Sequence, residues 1–294
     1  MLLGAAGMAQ GATAPGPAGV VLIVADREAA SPNGLEALAA RGARLTRAYS
    51  ADPASGRGRE AILRGQFPHA GTQGKDLPVL LGTAGWRIAG AAGGQKDRTC
   101  VVLQPKAGTG VAALRETMTA LTRAGTLEDT LLVFTATRAG DEETWFERST
   151  HVPLLIQWPR RIRAADIDAL VSGVDIAPTV LALCGMAAPE GMQGRDISAL
   201  LRGGAAERPE SVYAEGRVGT AESWRMMVRG LDKLVFKPDL RILHLYNLGQ
   251  DPEETTDLAG APSEERKCDE LQAIAADWRR RLSDEIDPSG LKKR

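Results

Sequence analysis

Gly19-Val-Val-Leu-Ile-Val-Ala-Asp26 is an unbroken apolar run closed by an acid. A β-branched run without polar alternation belongs to a strand covered on both faces, as in a parallel sheet flanked by helices. Ligands of open parallel sheets collect beyond the carboxyl ends of the strands. Asp26 therefore stands where a functional acid would stand, although an acid there can equally cap the loop that follows. Three similar runs lie further on: Thr99-Cys-Val-Val-Leu-Gln104, Thr130-Leu-Leu-Val-Phe-Thr135, and residues 152–157 beside Pro153 and Pro159. Between and after them the apolar spacing predicts helices over 35–41, with Gly42 as C-cap, and around 60–63, stopping at Gly65 and Pro68. Two more are predicted over 111–123, stopping at Gly125, and over 176–184, with Pro178 in the first turn. Repeated strand–helix–strand units argue for an α/β sandwich with a largely parallel sheet.

Beyond Leu200-Leu-Arg-Gly-Gly204 the texture changes. Short strand-like pieces at 211–214, 224–228, 233–237 and 243–246 precede an amphipathic helix over 264–282, the pattern of a small α+β subdomain. The expected organisation is a flexible N-terminal tail (1–18), an α/β core (19–204) and a C-terminal α+β subdomain (205–294). The tail, MLLGAAGMAQGATAPGPA, carries an Ala-Thr-Ala pattern but no positive n-region, so an exported and a cytoplasmic location both stay open.

The 294 residues are 44% hydrophobic and 25% charged, with 36 basic against 37 acidic side chains. This near-neutral balance provides no electrostatic footprint for nucleic acid, and no stretch is long and apolar enough for a transmembrane segment. Cys100, Cys184 and Cys268 are far apart in sequence and show no metal-ligand or disulfide spacing.

Shorter motifs then follow in a fixed order. They are Ser31-Pro-Asn33, Leu38-Ala-Ala-Arg-Gly42, Ala48-Tyr-Ser50, Ser55-Gly-Arg-Gly-Arg59 and Ile62-Leu-Arg-Gly-Gln-Phe-Pro-His69. Next come Gly125-Thr-Leu-Glu-Asp-Thr-Leu-Leu-Val-Phe-Thr135, His151-Val-Pro153, Val171-Ser-Gly-Val-Asp-Ile-Ala-Pro-Thr179, Gly191-Met-Gln-Gly-Arg195 and Leu245-Tyr-Asn-Leu-Gly-Gln-Asp-Pro-Glu-Glu-Thr-Thr-Asp-Leu-Ala259. Together they resemble the sulfatase family. The resemblance implies an alkaline-phosphatase-like sandwich, with a mostly parallel central sheet flanked by helices and a small C-terminal α+β subdomain. It also implies hydrolysis of sulfate esters by a formylglycine made from a signature Cys or Ser, assisted by a divalent cation, usually calcium.

Position by position, the implied machinery is thin. The signature residue falls on Ser55 and the signature arginine on Arg59, so these are the candidate catalytic residues, but Arg57 replaces the motif proline. The first pair of metal acids is reduced to Asp26, followed by Arg27, and the second falls on Thr137 and Arg138. Asp26 is the sole surviving metal-ligand position, too few for an ion that takes six to eight oxygens. The segment expected to carry Lys and His offers Ala92-Gly-Gly-Gln-Lys-Asp97 instead, and acids at 141–143 stand where the family has a base. The expectation is a sulfatase-like domain with lost or strongly reduced catalysis and no cofactor; calcium is expected only if the family metal site works. Arg27, Arg57 and Arg138 become candidates for binding a small anion, because guanidinium forks match sulfate, phosphate and carboxylate. The alternative is an active sulfate or phosphate ester hydrolase using Ser55 or a formylglycine made from it. The sequence points to no protein partner.

Overall fold

The opening run becomes β1 (Gly19–Ala25), the third strand from one edge of a seven-stranded sheet. The computed structural model describes residues 16–30, 33–71, 74–89, 98–204 and 207–284. The first fifteen residues, Ser31-Pro32, the segment around Lys96 and residues 205–206 lie outside them.

The chain continues through α1 (Leu35–Ala39), β2 (Ala43–Tyr49), α2 (Ser55–Arg64), α3 (Leu77–Thr83), β3 (Arg87–Ala89), β4 (Thr99–Leu103), α4 (Gly110–Arg123) and β5 (Thr130–Ala136). Then come α5 (Glu147–Thr150), β6 (Leu154–Gln157), β7 (Ala165–Ser172), α6 (Ile176–Leu183) and α7 (Ser198–Leu201). The sheet order is β3-β4-β1-β5-β6-β2-β7, and only β6 runs antiparallel to its neighbours. Strand alternation sorts the layers. Val20, Leu22 and Val24 face α2, α3 and α6, whereas Val21 and Ile23 face α1 and α4. This is the expected sandwich.

β3 was not anticipated, and neither were β2 and β7. Their Arg44, Thr46, Arg47, Asp166 and Asp168 interrupt the apolar pattern because this end of the sheet is only partly covered; Arg44 and Asp166 pair across it at 2.6 Å. Gly42 is not a C-cap, since α1 is closed by Ala40 in the αR conformation. A Cβ on Gly42 would come within 2.3 Å of Gln157 and 2.7 Å of the Ile156 carbonyl, so it is close approach to β6 that requires glycine there.

A second, antiparallel sheet follows, formed by β8 (Ser211–Gly216), β9 (Trp224–Arg229), β10 (Asp232–Phe236) and β11 (Ile242–Asn247), and the long helix α8 (Glu265–Leu282) covers one face. Leu271, Ala275, Trp278 and Leu282 of α8 pack on Tyr213, Met227, Leu234 and Phe236. The other face meets the core through Val212, Met226 and Val235 against Tyr49 and Leu170.

Charged groups are buried at this joint and are densely paired. Arg225 donates to Asp284 through Nε at 2.8 Å and Nη2 at 2.9 Å, and its Nε lies 3.2 Å from Glu215. Glu215 accepts from His69 Nδ1 at 2.7 Å and the His69 amide at 2.7 Å, while His69 Nε2 meets the Leu282 carbonyl at 3.1 Å. With both ring nitrogens facing acceptors, His69 is held as the cation. Burial alone would lower its pKa, but Glu215 and Asp284 raise it above the ordinary value. Burial would raise Asp284, yet Arg225 holds its carboxyl down at about 2. A second buried cation, Lys233, lies 3.0 Å from Glu147 and 2.8 Å from Glu254. Such groups repay their desolvation only when fully paired.

Candidate functional site

In the parallel register Ala25 of β1 lies opposite Ala136 of β5, so Asp26 and Thr137-Arg138 leave the sheet side by side. The crossing is locked by backbone bonds: Thr137 N donates to Ala25 O at 2.9 Å and Glu28 N to Arg138 O at 3.0 Å. The Thr137 hydroxyl donates to Asp26 O at 2.5 Å. The start of α2 closes the third side. A Cβ on Gly58 would approach the Asp52 carbonyl to 2.3 Å and Thr137 Cβ to 3.2 Å, so glycine here lets the helix lie against the strand ends. The Gly-rich stretch from Ser55 to Arg59 is the opening of this ten-residue helix, with Ser55 its first residue.

Arg138 faces Asp26, with Nη2 3.6 Å from Oδ2, and its Nη1 lies 3.3 Å from Glu143. Arg27 forms an ion pair with Asp141. Arg57 turns toward Asp52, donating from Nε at 2.7 Å. Asp52 is fully buried and also accepts from the Ala54 amide at 2.7 Å. Burial pushes its carboxyl up to about 6, against the pull of Arg57 and the Ala54 N–H. Each of these three arginines thus has an acid of its own. The Nε atoms of Arg59 and Arg138 are buried and have no hydrogen-bond partner among the described residues.

The donor set at Asp26 does not fit calcium. That ion needs six to eight oxygens, several of them carboxylate. Here one carboxylate faces a guanidinium, and the neighbouring main-chain oxygens of Asp26 and Arg138 already accept hydrogen bonds. The histidines are engaged elsewhere: His69 in the joint, His151 with Thr46 O at 2.9 Å, and His244 with Asp257 at 2.8 Å.

Sequence reading missed Asp52, and it noted the acids at 141–143 only as replacements of a base, because an acid in a loop does not announce its partner until an arginine is brought to it. The joint residues carried a faint signal: Arg225 and Lys233 are cations in strands whose central residues are apolar.

Residues 140–281 match the family described as N-sulphoglucosamine sulphohydrolase, C-terminal. Arylsulfatase K of Mus musculus is 29% identical over 166 residues, covering 50% of this chain and 30% of the relative. N-acetylglucosamine-6-O-sulfatase of Bacteroides thetaiotaomicron is 24% identical over 181 residues, covering 56% of this chain and 32% of the relative. The chain therefore spans about a third of the length of these curated relatives. Among solved structures, one determined with its substrate D-glucosamine-2-N,6-O-disulfate superposes with a TM-score of 0.80 at 14% identity, covering 95% of this chain and 100% of the other. The phosphonate monoester hydrolase of Agrobacterium radiobacter superposes at 0.78 and 13% identity, covering 95% and 100%. At such identities the superpositions establish the fold.

Proposed function

Because this chain belongs to the sulfatase family, we propose that it is a sulfatase-like domain whose strand-end site binds a small oxyanion without metal and turns over sulfate esters weakly or not at all. The observation that carries this reading is the buried Nε of Arg138 at the strand ends, which meets no acceptor among the described residues, with a second such donor on Arg59 of the adjoining α2. An N–H buried without an acceptor is costly, and a sulfate, phosphate or carboxylate oxygen would relieve that cost. The first-turn amides of α2 add partial positive charge on the same side. Arg27 and Arg57 contribute to the surrounding field rather than as free forks, since Asp141 and Asp52 hold them.

Loss of turnover follows from the same residues. Without a cation to offset charge on a transferring sulfuryl group, the largest electrostatic contribution to the reaction is missing. Calorimetry in metal-free buffer should show sulfate or phosphate binding at millimolar concentration, reduced in Arg59→Gln, with no turnover of aryl sulfate or aryl phosphate on adding calcium. An absence of heat at millimolar anion removes the binding role. Calcium-dependent turnover abolished by Asp26→Ala would overturn the reading altogether.

One observation favours a second reading, an active ester hydrolase: α2 begins at Ser55, beside the strand ends. Mass spectrometry of the peptide spanning Ser55 decides it. An oxidised side chain supports a formylglycine nucleophile; an unmodified serine together with no turnover eliminates it.

A further inference from the structure

Among the described residues one centre has the makings of a cation site, and there, as at the strand ends, a guanidinium stands among the acids. At the joint, ligand atoms of His69, Glu215 and Asp284 all lie within 4.8 Å of one another, close enough to share one metal ion. Arg225 occupies that centre instead, 3.2 Å from Glu215 and 2.8 Å from Asp284. At the strand ends, Arg138 stands 3.6 Å from Asp26 in the same relation.

We propose that Arg138 is the resident cation of the strand-end site: its guanidinium compensates Asp26 in place of a divalent metal and, with Arg27, keeps such metals out. The inference rests on reading the strand ends as the site, and not on whether an anion binds there. Three features carry it. Arg138 is anchored on both sides, by Asp26 and by Glu143 at 3.3 Å, so it cannot vacate the carboxylate without abandoning a second acid. Arg27, next to Asp26 in sequence, is paired in turn with Asp141. The anchoring acids both belong to the loop after β5, so the same segment that delivers Arg138 also delivers its restraints. A divalent ion at Asp26 would have to displace the Arg138 guanidinium and would find one carboxylate facing it, the neighbouring acids Asp141 and Glu143 being engaged by Arg27 and Arg138; one ligand is too few for an ion that takes six to eight oxygens.

The test is thermal denaturation of the metal-stripped protein with and without millimolar calcium, in buffer free of sulfate and phosphate. The wild type is expected to show no calcium-dependent shift of Tm; a saturable rise that disappears in Asp26→Asn overturns the proposal. A variant carrying Arg27→Asp and Arg138→Asn, which rebuilds oxygen ligands around Asp26, is expected to gain a calcium-dependent rise. A folded double variant without that rise overturns the claim that the arginines exclude the ion. Independently of metal, Asp26→Asn combined with Arg138→Gln should lower Tm by less than the sum of the single changes; strictly additive losses would refute the counter-charge role. Because no anion is present in any arm, failure of sulfate binding leaves this result standing, and the reverse also holds.

Discussion

The joint between the two sheets and the strand-end site use the same chemistry, arginine against carboxylate, under opposite conditions. At the joint, Arg225, Glu215 and Asp284 have fully buried side chains and the arginine's donors are met. At the strand ends, Asp26 keeps 29% and Arg138 18% of its side-chain surface, the pair is longer at 3.6 Å, and the buried Nε of Arg138 meets no acceptor among the described residues. A dry, saturated network welds the C-terminal sheet to the core. A partly exposed, undersaturated one is where the proposed anion would dock. The contrast separates what holds this protein together from what is proposed to meet a ligand.

The largest expected effect tests the weld. Arg225→Met deprives the buried Glu215 and Asp284 of their shared guanidinium and should cost about 3–5 kcal/mol of stability, read by chemical denaturation; a loss comparable to a surface substitution would break the comparison. Lys233→Met should follow at about 3 kcal/mol, the low end of that range because Glu147 is partly exposed and can rehydrate. Acidity sharpens the picture further. Asp284 has a folded pKa near 2, below its unfolded value of 3.8, so its stabilisation is present above pH 3.8 and is lost as pH falls toward 2. Asp52 runs the other way: its folded pKa of about 6 exceeds 3.8, so its contribution improves as pH falls from 6 toward 3.8. Denaturation midpoints should therefore rise modestly from pH 7 to 5, where His69 with its raised pKa adds to the effect, and drop below pH 4; Asp52→Asn should reduce the rise while leaving the drop. The smallest effects belong to the open pairs. Asp26→Asn should cost under about 1 kcal/mol, and Arg44→Gln, which releases an exposed Asp166, within about 0.5 kcal/mol. A large loss at Asp26 would mean the strand ends are as structural as the joint.

Much of the architecture was legible in residue order. The runs at β1, β4 and β5 announced buried parallel strands, and the stops at Gly65 and Gly125 closed their helices as expected. β2 and β7 escaped because Arg44 and Asp166 satisfy one another only after the sheet has formed. At the site, sequence order identified Asp26, Arg27, Arg57, Arg59 and Arg138 as the positions to watch. It could not say that Asp141 and Asp52 would claim two of the arginines, because those partners lie 114 residues from Arg27 in one case and 5 from Arg57 in the other.

By itself, the sequence determined the layers and the chemistry available at the strand ends, since hydrophobic period and residue type are local properties that each segment carries. Tertiary structure alone decided which charge meets which. Pairing depends on distance and on the water left between groups, and neither exists until the sheet register has brought Ala25 beside Ala136 and set Arg138 against Asp26.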